Sequence, residues 1–525
     1  MASITEHYEI ITTPEAKGLG SRPTPPGAGV NAKDFMARHE PSFAARREFL
    51  LGRDVCESEY VRLKRAALTS AEATRAPGLL QADVQSTRAA AIFATPKLPA
   101  DFAGLGDTGW APSDCSLAAG PSHLVMATNS AWATLDKAGN PLLQVELSDW
   151  FSGVVADAYI FNPKVIYDQF SGRWVIVACG RSMEERRSWF LVSVSQTRSP
   201  LGAWWNWALD ASLDGTDATQ FFADGLGLGV DNAALYLAAN MFSAEGAFQY
   251  AKLRLLNKSE LYAGSALQWW DCWELRNPNG SLAFGLQPAH TFGTPGIEYL
   301  VNATSDGQSL TQWNLSHPLH HPPLLSRRAI ATVGYHLAPN AKQPGSAREI
   351  ETGDTRFVNA VFRNGLLWTA HTVAVNWGEG TNVSGIQWFQ LNPGGGVIAQ
   401  HHVYGAPGLF YFCPTMMVDG QSNLIMVFNR VGVAEFPTIR FTGRLSTDLL
   451  STLQASALLK ESPVATSRGW GAYNGAAVDP NDTKVWIIGQ YTAAEAEWGT
   501  WIGETSYIAS NAEGSGGGVK KPAYV

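Results

Sequence analysis

The chain has 525 residues with a formal net charge of −8, and only 16% of its residues are charged. Such a length buries a large core without disulfides or a structural metal, and the lack of any long Lys/Arg block after the first seventy residues argues against a nucleic-acid role. Gly (51), Trp (19) and Phe (23) are plentiful, the mixture of an all-β protein with many tight turns and aromatic packing.

Residues 1–31 open as a Pro/Gly-rich lead (SRPTPPGAGV). Two helical candidates follow, Asn31–Leu51 and Asp54–Ala76, the second with Val61, Leu63, Ala67 and Leu68 set among Arg and Lys. No basic region followed by an apolar stretch marks a secretory signal, so a soluble, cytoplasmic protein is the default expectation. The five cysteines form no CxxC pair and no zinc-finger spacing, and are expected to be small buried hydrophobes.

From Ser116 the texture changes to short apolar or alternating runs split by Gly, Asn, Asp and Pro. A unit recurs there: a strand, a tight turn, a strongly apolar strand, a longer loop, then two further strands. First strands are expected near 116, 162, 224, 287, 356, 412 and 472. Neither face of such a sheet is buried alone, whereas seven packed radially bury both. The expected fold is therefore all-β, a seven-bladed β-propeller with an N-terminal partly helical extension. Its parts are an extension over 1–105, the propeller over 106–508 and a Gly-rich tail over 509–525. The seventh unit lacks an obvious fourth strand, and Ala89–Thr95 is the candidate to close it, since an uncovered edge invites aggregation.

GPSHLVMATN, NPKVIYDQFSGRWVIV, RNGLLWTAHT and GWGAYNGAAVDPNDTKVWIIGQY resemble a group of largely uncharacterised bacterial propeller proteins, themselves loosely similar to the sialidase/BNR-type superfamily. The resemblance covers about residues 110–505. It implies the fold and says little of chemistry. Where that group has RWGDY, this chain has Gly469-Trp470-Gly471-Ala472-Tyr473, and the Asp-Pro opening the second unit is Asn162-Pro163. No convincing Asp-box appears, so sialidase activity is not carried over.

In a propeller the fourth-to-first and second-to-third loops open on one face, the default place for a ligand. His290, Tyr473 and Asp224 are the candidate catalytic residues there. Arg356, Asn162, Asn359 and Asn474 on inner strands, with Glu245, Glu379 and Glu435 on second-to-third loops, are the candidate ligand contacts. Several glutamates over one mouth suit acid–base chemistry if paired, and are solvated surface charges if not. His317, His320 and His321 in SHPLHHPP belong to a third-to-fourth connection on the far face. No metal site and no cofactor motif is found. Two readings stay open: a propeller binding a glycan or protein partner at the channel mouth, and a carbohydrate-active enzyme, hydrolase or lyase, using Glu or His/Tyr acid–base chemistry.

Overall fold

The computed structural model describes residues 23–36, 52–75, 78–83 and 95–507 apart from Met183, Glu185 and Ala472, together with the short strands Glu9–Ile10, Ala16–Leu19 and Arg47–Glu48. Strands dominate. Antiparallel four-stranded meanders occupy residues 116–146, 159–210, 222–272, 287–331, 360–405 and 409–461, called here the first to sixth sheets. The last sheet joins Gly475–Val478, Lys484–Ala494 and Glu497–Ser506 in sequence, then takes Lys97–Gly106 as its outer strand, with Ile502 opposite Phe102.

That pairing closes the last sheet with residues from before the first, as a propeller requires. The closing strand is Lys97–Gly106; of the candidate Ala89–Thr95, all but Thr95 lies outside the described residues. A division at 105/106 would cut this strand, so its residues belong with the sheets. Its alternation is mild and includes Pro99, which suits an outer strand where one N–H side needs no partner.

The innermost strands follow one another round a closed ring. Ser116–Ala119 touches both Tyr159–Asp168 and Gly475–Val478, and the contacts continue through each sheet in turn. The third, fourth and fifth even pair there in parallel, Val230 with His290 and His290 with Val361. The core lies between neighbouring sheets rather than at the centre. Trp207, Leu226 and Leu237 pack the second against the third, and Leu117, Met126, Trp486 and Ile502 join the last to the first.

The N-terminal extension threads along the rim of this ring. Glu9–Ile10, Ala16–Leu19, Val30–Asn31 and Leu80–Ala82 each add to the outer strand of the fourth, third, second and fifth sheets respectively. These additions cover backbone that would otherwise be an open edge. Of the two predicted helices, the first is Lys33–Met36 within the described residues, and the second is Glu57–Ala67. The expected tail, 509–525, lies outside the described residues.

Candidate functional site

Depth along the channel is set by register. His290 stands level with Val230 and Val361. Asp224 precedes Val230 by six residues and Arg356 precedes Val361 by five, so these two lie roughly 15–20 Å of extended chain nearer the other mouth. His290 is thus not beside Asp224, Arg356 and Tyr473, which corrects its placement at their mouth. Distance to the following turn was the usable signal: the turn TFGTPG begins at Thr291, directly after the histidine.

At its own mouth His290 lines a cavity of about 200 Å³ with Tyr167, Gln169, Phe292, Arg363 and Asp479. Its ring stacks on Phe292 with centroids 4.5 Å apart. Gln169 donates its amide N–H to the Thr291 carbonyl at 3.1 Å, so its amide oxygen faces His290 Nε2, 3.1 Å away, and that nitrogen carries the hydrogen. Burial pushes the imidazole down to about 4. It is neutral at pH 7.

The opposite mouth is occupied by the chain itself. Gly52 inserts between the sheets: its N–H donates to Asp224 Oδ2 at 2.7 Å, and its carbonyl accepts from Arg356 Nη2 at 2.6 Å. A Cβ at Gly52 would fall on the Phe242 ring, so any side chain there must displace it. Behind it, the helix Glu57–Ala67 docks on residues 351–354. Arg53 pairs with Glu351, Tyr60 donates to Glu351 at 3.0 Å, and Lys64 donates to Thr352 Oγ1 and the Gly353 carbonyl, both at 2.7 Å. Burial, reinforced by the Arg53 guanidinium, pushes the Lys64 ammonium down to about 7.

The residues chosen for this mouth are therefore mostly spoken for. Asp224 Oδ1 also accepts from Asn162 Nδ2 at 3.0 Å. Arg356 forks onto Asp354, Nε to Oδ1 at 2.8 Å and Nη2 to Oδ2 at 2.6 Å, and lies over the Phe284 ring. Burial raises the Asp354 carboxyl, but the Arg356 guanidinium and its hydrogen bonds outweigh that and hold it well below the usual carboxylate range. Asn162, Asn359 and Asn474 staple neighbouring sheets: Asn359 Nδ2 donates to the Met416 carbonyl at 2.7 Å, and Asn474 Nδ2 to the Cys413 carbonyl at 2.7 Å. They hold backbone.

The loop glutamates do not converge. Glu435 is held in a fork by Arg430, both contacts 2.8 Å, and Glu379 is an exposed loop residue. Glu245 borders a cleft, where it accepts from Ser243 at 2.8 Å. Tyr473 is buried, with the Lys164 ammonium 3.5 Å from its ring centroid. His371, one strand out in the fifth sheet, is a core histidine bonded to the Thr355 carbonyl and Gln387.

What the plug leaves open is a cleft of about 480 Å³ between residues 52–57 and the second and third sheets. Tyr159, Phe161, Phe222 and Phe242 form its walls, with Arg53, Glu57, Arg181, Asp224 and Glu245 as charged members. The Arg181 guanidinium lies 3.4 Å from the Phe222 ring centroid and makes no hydrogen bond among the described residues. Sequence reasoning missed Arg181; its signal was a lone charge ending the apolar strand RWVIVACGRS next to a second-to-third loop. No group of three or more His, Cys, Asp or Glu side chains among the described residues is arranged to hold a metal, and no helix among them is long and apolar enough to cross a membrane.

No family model and no curated protein matches the chain. Among solved structures it is similar to the Trypanosoma rangeli sialidase in complex with the inhibitor DANA, with 8% identity, a TM-score of 0.35, and 78% of this chain and 60% of that one covered. It is similar to the Dos1 propeller at 10% identity and a TM-score of 0.35, covering 73% and 75% of the two chains. It is also similar to a GH43 endo-arabinanase from Bacillus licheniformis at 15% identity and a TM-score of 0.25, covering 53% and 93%. The chain spans about 60% of the length of the first of these.

Proposed function

We propose that the protein is a seven-bladed β-propeller that binds a glycan in the cleft beside its plugged mouth, without catalysing its breakdown. The closed order of innermost strands supports the blade count. The cleft falls within the ~300–1,000 Å³ of small-ligand sites and is concave, which favours one or two sugar units over a flat protein partner. Tyr159 and Phe222 are only half-buried there and offer apolar surface for a sugar ring.

The observation that carries the reading is Arg181, a guanidinium held against an aromatic ring at the cleft with its donors uncommitted. A fork of fixed donors suits sugar hydroxyls or a uronic carboxylate. Against catalysis stands the dispersal of the acids chosen for the mouth: Asp224 accepts from the plug, Glu435 is paired with Arg430, and Glu245, which shares the cleft with Asp224 and the exposed Glu57, accepts from Ser243. Titration of the full chain with neutral and uronic-acid oligosaccharides tests this. Binding should fall about tenfold or more in Arg181→Ala, the scale of a lost charge-assisted hydrogen bond, with melting temperature nearly unchanged. Shortened oligosaccharides in the mixture would establish the enzyme instead, and absence of binding across the panel would end the glycan reading.

A further inference from the structure

At the mouth opposite the plug, the His290 cavity lies in the channel itself, lined from the innermost strands of the first, second, fourth, fifth and last sheets. Its walls are mainly aliphatic: Leu117, Ala119, Val165, Ala476 and Val478 meet there, with the Phe292 ring stacked on His290. The charged side chains at this cavity cancel in pairs. Arg363 pairs with Asp482 and donates to the Val418 carbonyl at 3.1 Å, while Asp479 takes Lys137 and the Trp486 indole N–H. Neither an anion nor a cation is called for.

His290 is different. Its Nε2 hydrogen goes to Gln169, which leaves Nδ1 as a lone-pair acceptor with no partner among the described residues. Nδ1 keeps some accessible surface, and what opens beside this ring is the cavity. Size and lining then define the ligand. A cavity of about 150 Å³ lined by Leu, Ile and Phe stays dry and takes benzene, whereas an ordered water needs roughly two to four polar partners. Here a cavity of about 200 Å³ leaves room for one such ring with a substituent. A sugar would bring several hydroxyls against aliphatic walls and lose their hydration without replacement. A single hydroxyl has its acceptor in Nδ1.

We infer that this cavity binds a small uncharged aromatic alcohol of phenol size, its ring among the aliphatic walls and its hydroxyl donating to His290 Nδ1. The site lies at the opposite mouth from the Arg181 cleft, and neither depends on the other. Calorimetric titration of the full chain with phenol and with toluene, which has a methyl in place of the hydroxyl, tests it. Both should bind the wild type. The ratio of phenol to toluene affinity should fall about tenfold in His290→Phe, which keeps a ring but removes the acceptor, the scale of one hydrogen bond. Ala476→Leu, which fills the wall, should weaken both ligands about tenfold or more, the scale of displacing a buried ring. Wild-type crystals soaked with 4-bromophenol serve if neither variant folds. The bromine's anomalous peak should fall in this cavity, with the phenol oxygen about 3 Å from Nδ1. Failure of phenol to bind the wild type, ordered water in the cavity in place of the ring, bromophenol bound only elsewhere, or an affinity ratio unchanged by His290→Phe would each overturn the inference.

Discussion

The two mouths of the channel are built on the same repeating strands yet differ in what satisfies their polar groups. At one, a segment from far earlier in the chain brings a peptide group to Asp224 and Arg356, and a helix behind it buries Lys64 against residues 352–353. At the other, the sheets serve themselves: Gln169 of the second sheet bonds His290 of the fourth, Phe292 stacks on its ring, and a cavity remains. A polar residue at a propeller mouth is therefore no guide to ligand contact until the rest of the chain is placed. Asp224 and Arg356 are met there by the chain's own backbone.

The comparison can be broken most severely at Arg356. Arg356→Met leaves Asp354 buried with only the more distant Arg53, and should cost about 3–5 kcal/mol, the scale of stranding one partner of a buried ion pair. Denaturant unfolding measures this; a loss under 1 kcal/mol would show that the plug does not depend on it. Next comes Gly52→Ala, whose Cβ meets the Phe242 ring. It should cost roughly 1–3 kcal/mol as an overpacking change, with faster amide exchange confined to residues 52–67. Exchange rising equally at the His290 mouth would contradict the separation of the two ends.

Lys64 gives a subtler handle. Docked, it releases its proton near 7, whereas an undocked lysine does so near 10.5. Between those values the undocked chain binds the extra proton, so docking of the helix strengthens as pH rises through about 7 to 10.5 and is weakest below 7. Amide protection of residues 57–67, corrected for intrinsic exchange, should follow that rise in wild type and lose it in Lys64→Met. The smallest expected change is at the far mouth. His290→Gln should alter stability at pH 7 by less than about 1 kcal/mol. The wild type should lose stability as pH falls from about 6.5 through about 4, because the unfolded imidazole takes up a proton that the folded one refuses. An acid limb identical in the variant would show that this histidine is not the group responsible.

Much of the fold was legible because each sheet is local. Turn signals such as Asp479-Pro480-Asn481-Asp482 sit between paired strands, and apolar runs such as Trp174–Cys179 are buried on both faces between sheets. The second extension helix was visible in its amphipathic pattern, although Glu57–Ala67 is shorter than the expected Asp54–Ala76. The closing strand was harder to see. Lys97–Gly106 has mild alternation and a proline, and its partner Glu497–Ser506 stands about four hundred residues away. Arg181 looked like an ordinary strand end because nothing in its neighbourhood of sequence supplies Phe222, which comes from the next sheet.

By itself the sequence determined a set of antiparallel strand units, because turn chemistry and period-two burial act between residues close in the chain. The tertiary structure decided which mouth each polar residue occupies and which of them are already bonded. Depth depends on the register between sheets, as His290 level with Val230 shows. Occupancy at the other mouth depends on Gly52, whose two hydrogen bonds reach 172 and 304 residues along the chain. Contacts of that span leave no periodic trace in the residues that make them.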